Sequence, residues 1–202
     1  MHPEILTKKQ AELLPLLKNL SEEYGLVGGT AIALHLGHRE SLDFDLFKNG
    51  SLDILQIKRN INKLFPIDQV RVENSNEYTL RVNNIQFTFY NYPFNIAYDI
   101  PFQNVIALPN LLTLAAMKAY ALGKRAKWKD YVDLYFILQK HSLHEVVTQS
   151  ETIFKGEFSE KLFREQLSYY EDIDYSEQID YLQGFEKKDA EIKTFLENLS
   201  LT

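Results

Sequence analysis

At 202 residues, 45% hydrophobic and 25% charged, the chain can bury a sizeable core and lacks the compositional bias of a disordered segment. It has no cysteine, which excludes a disulfide framework and thiolate zinc sites and fits a reducing compartment. Its net charge of −6 argues against a broad nucleic-acid-binding surface but leaves room for a local basic patch.

The N-terminal MHPEILTKKQAELLPLL has no uninterrupted apolar run, unlike a signal peptide, and nothing downstream approaches the ~20 apolar residues of a membrane span. A soluble, cytoplasmic protein without a membrane partner is expected. Ile5, Leu6, Leu13, Leu14, Leu16, Leu17 and Leu20 follow helical spacing, with Pro15 as a kink or break. Tyr24 to Val27 reads as a short strand broken by Gly28-Gly29, and Thr30 to Leu36 as a short helix ended by Gly37. Leu42 to Phe47 alternates with a period of two, as a strand does. A helix is expected over 53–65, strands over 69–73 and 78–82, and Asn83-Asn84 as a hairpin turn into a strand from Ile85 to Tyr90. Pro109 begins a helical pattern to about Lys124. Another runs from Trp128 to Lys140, and about three more helices follow. The fold class is therefore α+β: a mixed α/β core over 1–103, then an all-helical domain over 104–202.

The first third carries the chemistry. Residues two apart on a strand share a face, so Asp43 and Asp45 project together while Leu42, Phe44 and Leu46 turn to the core. With backbone sites roughly 7 Å apart, both carboxylates can converge on one hard cation such as Mg²⁺, or Mn²⁺ in its place. The bland alternative is a solvated strand face. Upstream, Gly28-Gly29 between strand and helix would let the backbone approach a phosphate, with the Thr30 hydroxyl adding a contact. An ordinary turn with Thr30 as N-cap would look the same. Neither the dinucleotide fingerprint nor a P-loop is present.

Val27-Gly28-Gly29-Thr30, followed after a spacer by Asp43-Phe44-Asp45-Leu46, resembles the hG(G/S)…DhDh signature of the polymerase-β-like nucleotidyltransferases. The longer string LVGGTAIALHLGHRESLDFDLF is similar to the AbiEii/AbiGii toxin family within them. ALPNLLTLAAMKAYALGKRAKWKDYVDLYFIL resembles that family's later motif, a lysine helix followed by a basic-Asp-x-x-Asp-Leu segment. The resemblance implies a nucleotidyltransferase-like mixed sheet flanked by helices, with a helical domain closing over the nucleotide. It further implies metal-dependent transfer of a nucleoside monophosphate from an NTP substrate to an RNA (tRNA among the candidates) or protein acceptor, in a toxin with a cognate antitoxin. A catalytically degenerate nucleotide-binding or protein-interaction module, and a metal-dependent phosphohydrolase, are the alternatives.

The later motif also reads physically. Lys118 and Arg125 share a helix face, as Asp130 and Asp133 do on the next helix. This describes either a hairpin stapled by ion pairs or, as the resemblance implies, phosphate-binding Lys118, Arg125 and Lys129 with Asp130 fixing them or the acceptor. In the second reading Lys118 lies in a cleft and adds little to stability. Trp128 can stack on a base or anchor packing. Arg39, in the family-like Gly-His-Arg stretch, is a further phosphate-binding candidate beside a solvated loop role. His35 and His38 lack the companions of a metal site. The superfamily's third carboxylate falls at Thr88, which cannot be an anionic base. Asp99 and Asp130 are the substitutes.

Overall fold

Thr7 starts the first helix for a local reason: its hydroxyl accepts from the Gln10 amide (3.3 Å) while the Gln10 side chain accepts from the Thr7 amide (3.1 Å), a reciprocal cap that satisfies two otherwise orphaned donors. The computed structural model describes residues 1–202, which divide into two compact units, Met1–Asn110 and Leu111–Thr202. In the first unit, α1 (Lys8–Glu12) and α2 (Leu14–Leu20) are separate helices joined at Leu13. Pro15 sits in the first turn of α2, where its missing N–H costs nothing.

The chain continues through β1 (Gly25–Val27), α3 (Gly28–Leu36), β2 (Phe44–Lys48), α4 (Ile54–Asn62), β3 (Gln69–Glu73), β4 (Glu77–Val82) and β5 (Ile85–Asn91). A two-stranded ribbon of β6 (Ile100–Phe102) and β7 (Ile106–Leu108) completes the unit. The five-stranded sheet has the order β1-β2-β5-β4-β3. Only β2 and β5 run parallel, and the crossover between them is α4 with the β3–β4 hairpin. Asn83 and Asn84 both take positive φ (51° and 65°), which is the two-residue hairpin turn that asparagine accommodates.

The period-two pattern divides this sheet into two faces. Phe44, Leu46, Tyr78, Leu80, Phe87 and Phe89 are fully buried on one, with the Tyr24 ring meeting Phe89 edge-on at 5.3 Å. Helices α2 and α4 contribute the buried Leu16, Leu17, Leu20, Ile57 and Ile61. The other face carries Asp45, Phe47, Glu77, Arg81, Gln86, Thr88 and Tyr90, all half-exposed.

Two boundaries beside the candidate site differ from expectation. Strand β2 begins at Phe44, and Leu42 is 51% exposed rather than in the core. The reason is that the carbonyls of Ser41 and Asp43 are taken by the Gln10 and Thr30 side chains, so residues 41–43 are tied to helices and leave the pleat. Helix α3 begins at Gly28, not Thr30.

The second unit is all helical: α5 (Leu111–Leu122), α6 (Trp128–Ile137), α7 (Leu143–Phe154), α8 (Glu160–Leu167) and α9 (Asp189–Ser200). Helix α5 packs on α6, α7 and α8, and α9 on α6 and α8. Ser142 and Glu145 form a second capping box, at the start of α7. No helix is long and apolar enough to cross a membrane.

Candidate active site

The first cluster is built where β1 becomes α3. Gly28 sits at φ 71°, a left-handed conformation that only glycine adopts at little cost. A Cβ built there would overlap Asp45 Oδ2 and stand 2.9 Å from Asp45 Cγ. A Cβ on Gly29 would lie 2.7 Å from the Arg39 guanidinium and 3.0 Å from Ser41 Oγ. The two glycines thus let the start of α3 come against Asp45 and Arg39. No side chain caps that helix start, so its first amides are not engaged by a cap and are the groups that favour an anion.

Thr30 plays a different part from the one expected. It is 1% exposed, and its hydroxyl donates to the carbonyls of Ser41 (3.2 Å) and Asp43. A hydroxyl spent in this way fixes the Asp43 backbone to α3 and is turned from any phosphate. Gln10, fully buried, reinforces the tie by donating to the Ser41 carbonyl at 2.7 Å. No sequence pattern marks Ser41, and only the capping-box spacing at Thr7 hints at an ordered Gln10. Arg39 is 4% exposed, with Nη1 on the Glu40 carbonyl at 2.8 Å, so the solvated-loop reading of this residue does not hold.

Strand register sets the neighbours of Asp45. It pairs with Val27 of β1 and with Thr88 of β5, and Thr88 pairs in turn with Thr79 of β4. Thr88 therefore occupies the place across from Asp45 where a third acid was sought. Thr79, 5% exposed, donates its hydroxyl to Glu77 at 2.7 Å. Asp99 is exposed and follows Tyr98, whose hydroxyl donates to the Phe47 carbonyl. Tyr98 also covers Gly25, at the opposite end of β1 from Gly28. On α3, His35 faces the Pro109 carbonyl at 2.9 Å, and burial lowers its pKa from the ordinary value.

No three His, Cys, Asp or Glu side chains gather as a metal cage. Asp43 precedes β2 and so does not share a strand face with Asp45 as alternation suggested; the carboxylates of both remain hard oxygen donors. That set fits Mg²⁺, which binds through one or two carboxylates and fills its remaining positions with water and substrate phosphates.

The later motif forms a cluster within the helical unit. Lys118 is 6% exposed and bonded to Asp130 (2.7 Å) and Asp133 (2.9 Å), both fully buried. Arg125, exposed, brings Nε to 3.4 Å from Asp130 Oδ2. That is an ion-pair separation without hydrogen-bond alignment, since Oδ2 has no hydrogen-bond partner. Lys129 turns to Glu177, as Lys127 does. The ion-paired hairpin of the bland reading is therefore present, and Lys118 is a buried centre of charge rather than a lysine with little structural weight.

Trp128 is 4% exposed and stacks on Tyr131 (5.9 Å) and against Tyr175 (5.3 Å). The Lys193 ammonium lies 5.6 Å from the Trp128 ring, 5.0 Å from Tyr170 and 5.4 Å from Tyr175. This is packing completed by a cation over aromatic faces, not a free stacking platform.

The sheet order, the glycine turn against a strand aspartate and the following helices together define a nucleotidyltransferase fold. Residues 17–198 match the model of the nucleotidyl transferase AbiEii toxin family of type IV toxin–antitoxin systems, and the chain belongs to that family. An uncharacterised protein of Aquifex aeolicus (strain VF5), aq_aa25, is 28% identical over 96% of this chain and 98% of its own length. Among solved structures, JHP933 from Helicobacter pylori superposes with a TM-score of 0.59 at 13% identity, over 98% of this chain and 91% of that one. MenT4, the nucleotidyltransferase toxin Rv2826c from Mycobacterium tuberculosis H37Rv, gives a TM-score of 0.58 at 14% identity, over 95% and 81% of the two chains. These two likenesses establish the fold.

Proposed function

We propose that the chain is a metal-dependent nucleotidyltransferase toxin that moves a nucleoside monophosphate from an NTP to an RNA or protein acceptor and is held in check by a cognate antitoxin. The observation that carries this is the Gly28-Gly29 turn, whose missing side chains bring the start of α3 against Asp45 and Arg39. Family membership supports reading that turn as a donor-phosphate site rather than an ordinary strand-to-helix connection.

In this reading Asp43 and Asp45 hold Mg²⁺, which when bound would neutralise phosphate charge and orient the leaving group. The amides at the start of α3 receive the triphosphate, and the Arg39 guanidinium offers fixed donors to phosphate oxygens. Gln10 and Thr30 keep the Asp43 backbone in place, so the carboxylates do not need to be ordered at the moment of binding. In the reaction the acceptor hydroxyl oxygen bonds to the α-phosphorus, the bond from that phosphorus to the bridging oxygen breaks, and pyrophosphate leaves. The hydroxyl proton leaves to solvent; Thr88, beside Asp45, can relay it by hydrogen bonding but cannot keep it.

That last point favours one second reading, in which the chain binds nucleotide and does not turn it over. Incubation with α-labelled NTPs, Mg²⁺ and either total RNA or total protein separates the two. Label in a macromolecule supports transfer. Binding without transfer supports the second reading, and labelled nucleoside di- or monophosphate with no label in a macromolecule would reassign the site to hydrolysis.

A further inference from the structure

The half-exposed face of the sheet continues beyond Asp45 in two directions, and each end carries side chains that the proposed donor site leaves unused. On the far side of Thr88 lie Gln86 of β5 and its register partner Arg81 of β4. Strand β3 is bulged between Val70 and Val72, and Arg71 uses the irregularity to bring Nη1 to 3.4 Å from Gln86 Oε1. Arg71 therefore reaches the Gln86 amide, and Arg81 is the register partner of Gln86 on the same face.

Neither is neutralised by an ion pair. Of the nearby acids, Glu73 pairs with Lys58 at 2.9 Å and Asp68 accepts from the Asn84 amide, while Glu77 shares the face as the register partner of Tyr90 and accepts from Thr79. Arg81 Nε is shielded from solvent and has no hydrogen-bond partner, an expense that folding alone does not explain. From the Asp45 backbone, Arg81 lies two strands across and two residues along, about 12 Å.

At the other end, Phe47 and Tyr90 stand next to each other on the same face, with ring centroids 5.2 Å apart. Charge-seeking donors at one end, aromatic rings at the other and the carboxylate Asp45 between them suit one polymer, whose backbone is anionic and whose bases have flat faces.

We propose that this face is the acceptor site, that Arg71 and Arg81 with Gln86 bind a backbone phosphate, that Tyr90 stacks a base, and that the acceptor is a single-stranded RNA rather than a protein. This rests on the nucleotidyltransferase reading for the word acceptor, but the binding itself needs neither metal nor NTP.

The test uses the full chain and a short fluorescein-labelled single-stranded RNA, with anisotropy followed over a series of salt concentrations and no nucleotide present. A lost phosphate contact should lower the slope of log affinity against log salt by about 0.7, so Arg71→Ala with Arg81→Gln, which together release the one bound phosphate, should lower it by about 0.7. Tyr90→Leu, which keeps the apolar volume, should weaken binding about tenfold with the slope unchanged. Arg71→Glu alone touches an exposed side chain, so it keeps the test valid if the Arg81 variant fails to fold, and it should weaken binding more than Arg71→Ala.

Unchanged affinity and slope in the arginine variants would overturn the site, as would label transferred to protein in the wild type. Arginine-dependent RNA binding in a chain that transfers nothing would support this site and remove the enzymatic reading. Transfer to RNA unaffected by the arginines would do the reverse.

Discussion

Replacing Gly28 by alanine is the sharpest perturbation of the first cluster. An L-residue held at φ 71° costs about 1–2 kcal/mol. The new Cβ would also stand 2.9 Å from Asp45 Cγ and overlap Oδ2, against an ordinary carbon–carbon separation of about 3.5–4.0 Å. Asp45 must then leave its position by most of an ångström, adding about 0.5–1.5 kcal/mol if it is pushed off rotamer. The expected loss is about 2–3 kcal/mol, read as a lower urea midpoint by circular dichroism, together with loss of Mg²⁺-dependent NTP binding in calorimetry. Gly29→Ala is the matched control. It has no positive φ, and its Cβ meets only the ends of the Arg39 and Ser41 side chains, while alanine gains about 0.8–1 kcal/mol of helix propensity. It should be close to neutral for stability. If Gly28→Ala keeps the wild-type midpoint and NTP affinity, or if Gly29→Ala is the more damaging, the close approach of this turn to Asp45 is not what matters.

Asp43→Asn and Asp45→Asn should each remove most metal-dependent NTP binding while the far-UV spectrum stays native, and an unaltered affinity would take the metal away from this pair. Lys118→Ala leaves Asp130 and Asp133 buried without their central cation and should cost about 3–5 kcal/mol. Combining Lys118→Met with Asp130→Asn and Asp133→Asn should recover much of that in urea unfolding, and no recovery would mean the cost was not one of unpaired charge. His35 should titrate below 6.5 by NMR, because burial disfavours its charged form. The unfolded chain then binds the proton more readily, so this group's contribution to stability is complete above pH ~6.5 and falls as pH drops towards the folded-state value. A His35→Gln chain should lack that part of the acid dependence.

The sequence announced the fold well where one physical pattern dominated. Alternation located β4 and β5, Asn-Asn located the turn between them, and the Leu and Ile spacing located α2 and α4. It failed at residues 41–43, where alternation promised a strand and a buried Leu42. There, side chains from distant helices outbid the sheet for the carbonyls of Ser41 and Asp43, and no local pattern encodes a bond from Gln10. Thr30 shows the same limit, since a threonine beginning a helical run suggests a cap or a ligand contact and not a clamp on a strand thirteen residues away. Glycine was informative as a pair, but which of the two cannot accept a side chain depended on φ and on the position of Asp45. Lys118 and Asp130 were legible as partners, whereas the depth of their burial follows from the helices packed around them.

The chain's single tryptophan is Trp128, which packs with Tyr131, Tyr175 and the Lys193 ammonium of the helical unit. Its fluorescence is therefore an optical reporter of packing within residues 111–202. Circular dichroism registers both units, so following the two signals side by side during denaturation shows whether the chain melts in one step or two. No label or engineered fluorophore is required, and because the Asp43–Asp45 cluster contains no tryptophan, its variants can be compared with the Trp128 emission as an internal standard for an intact C-terminal half.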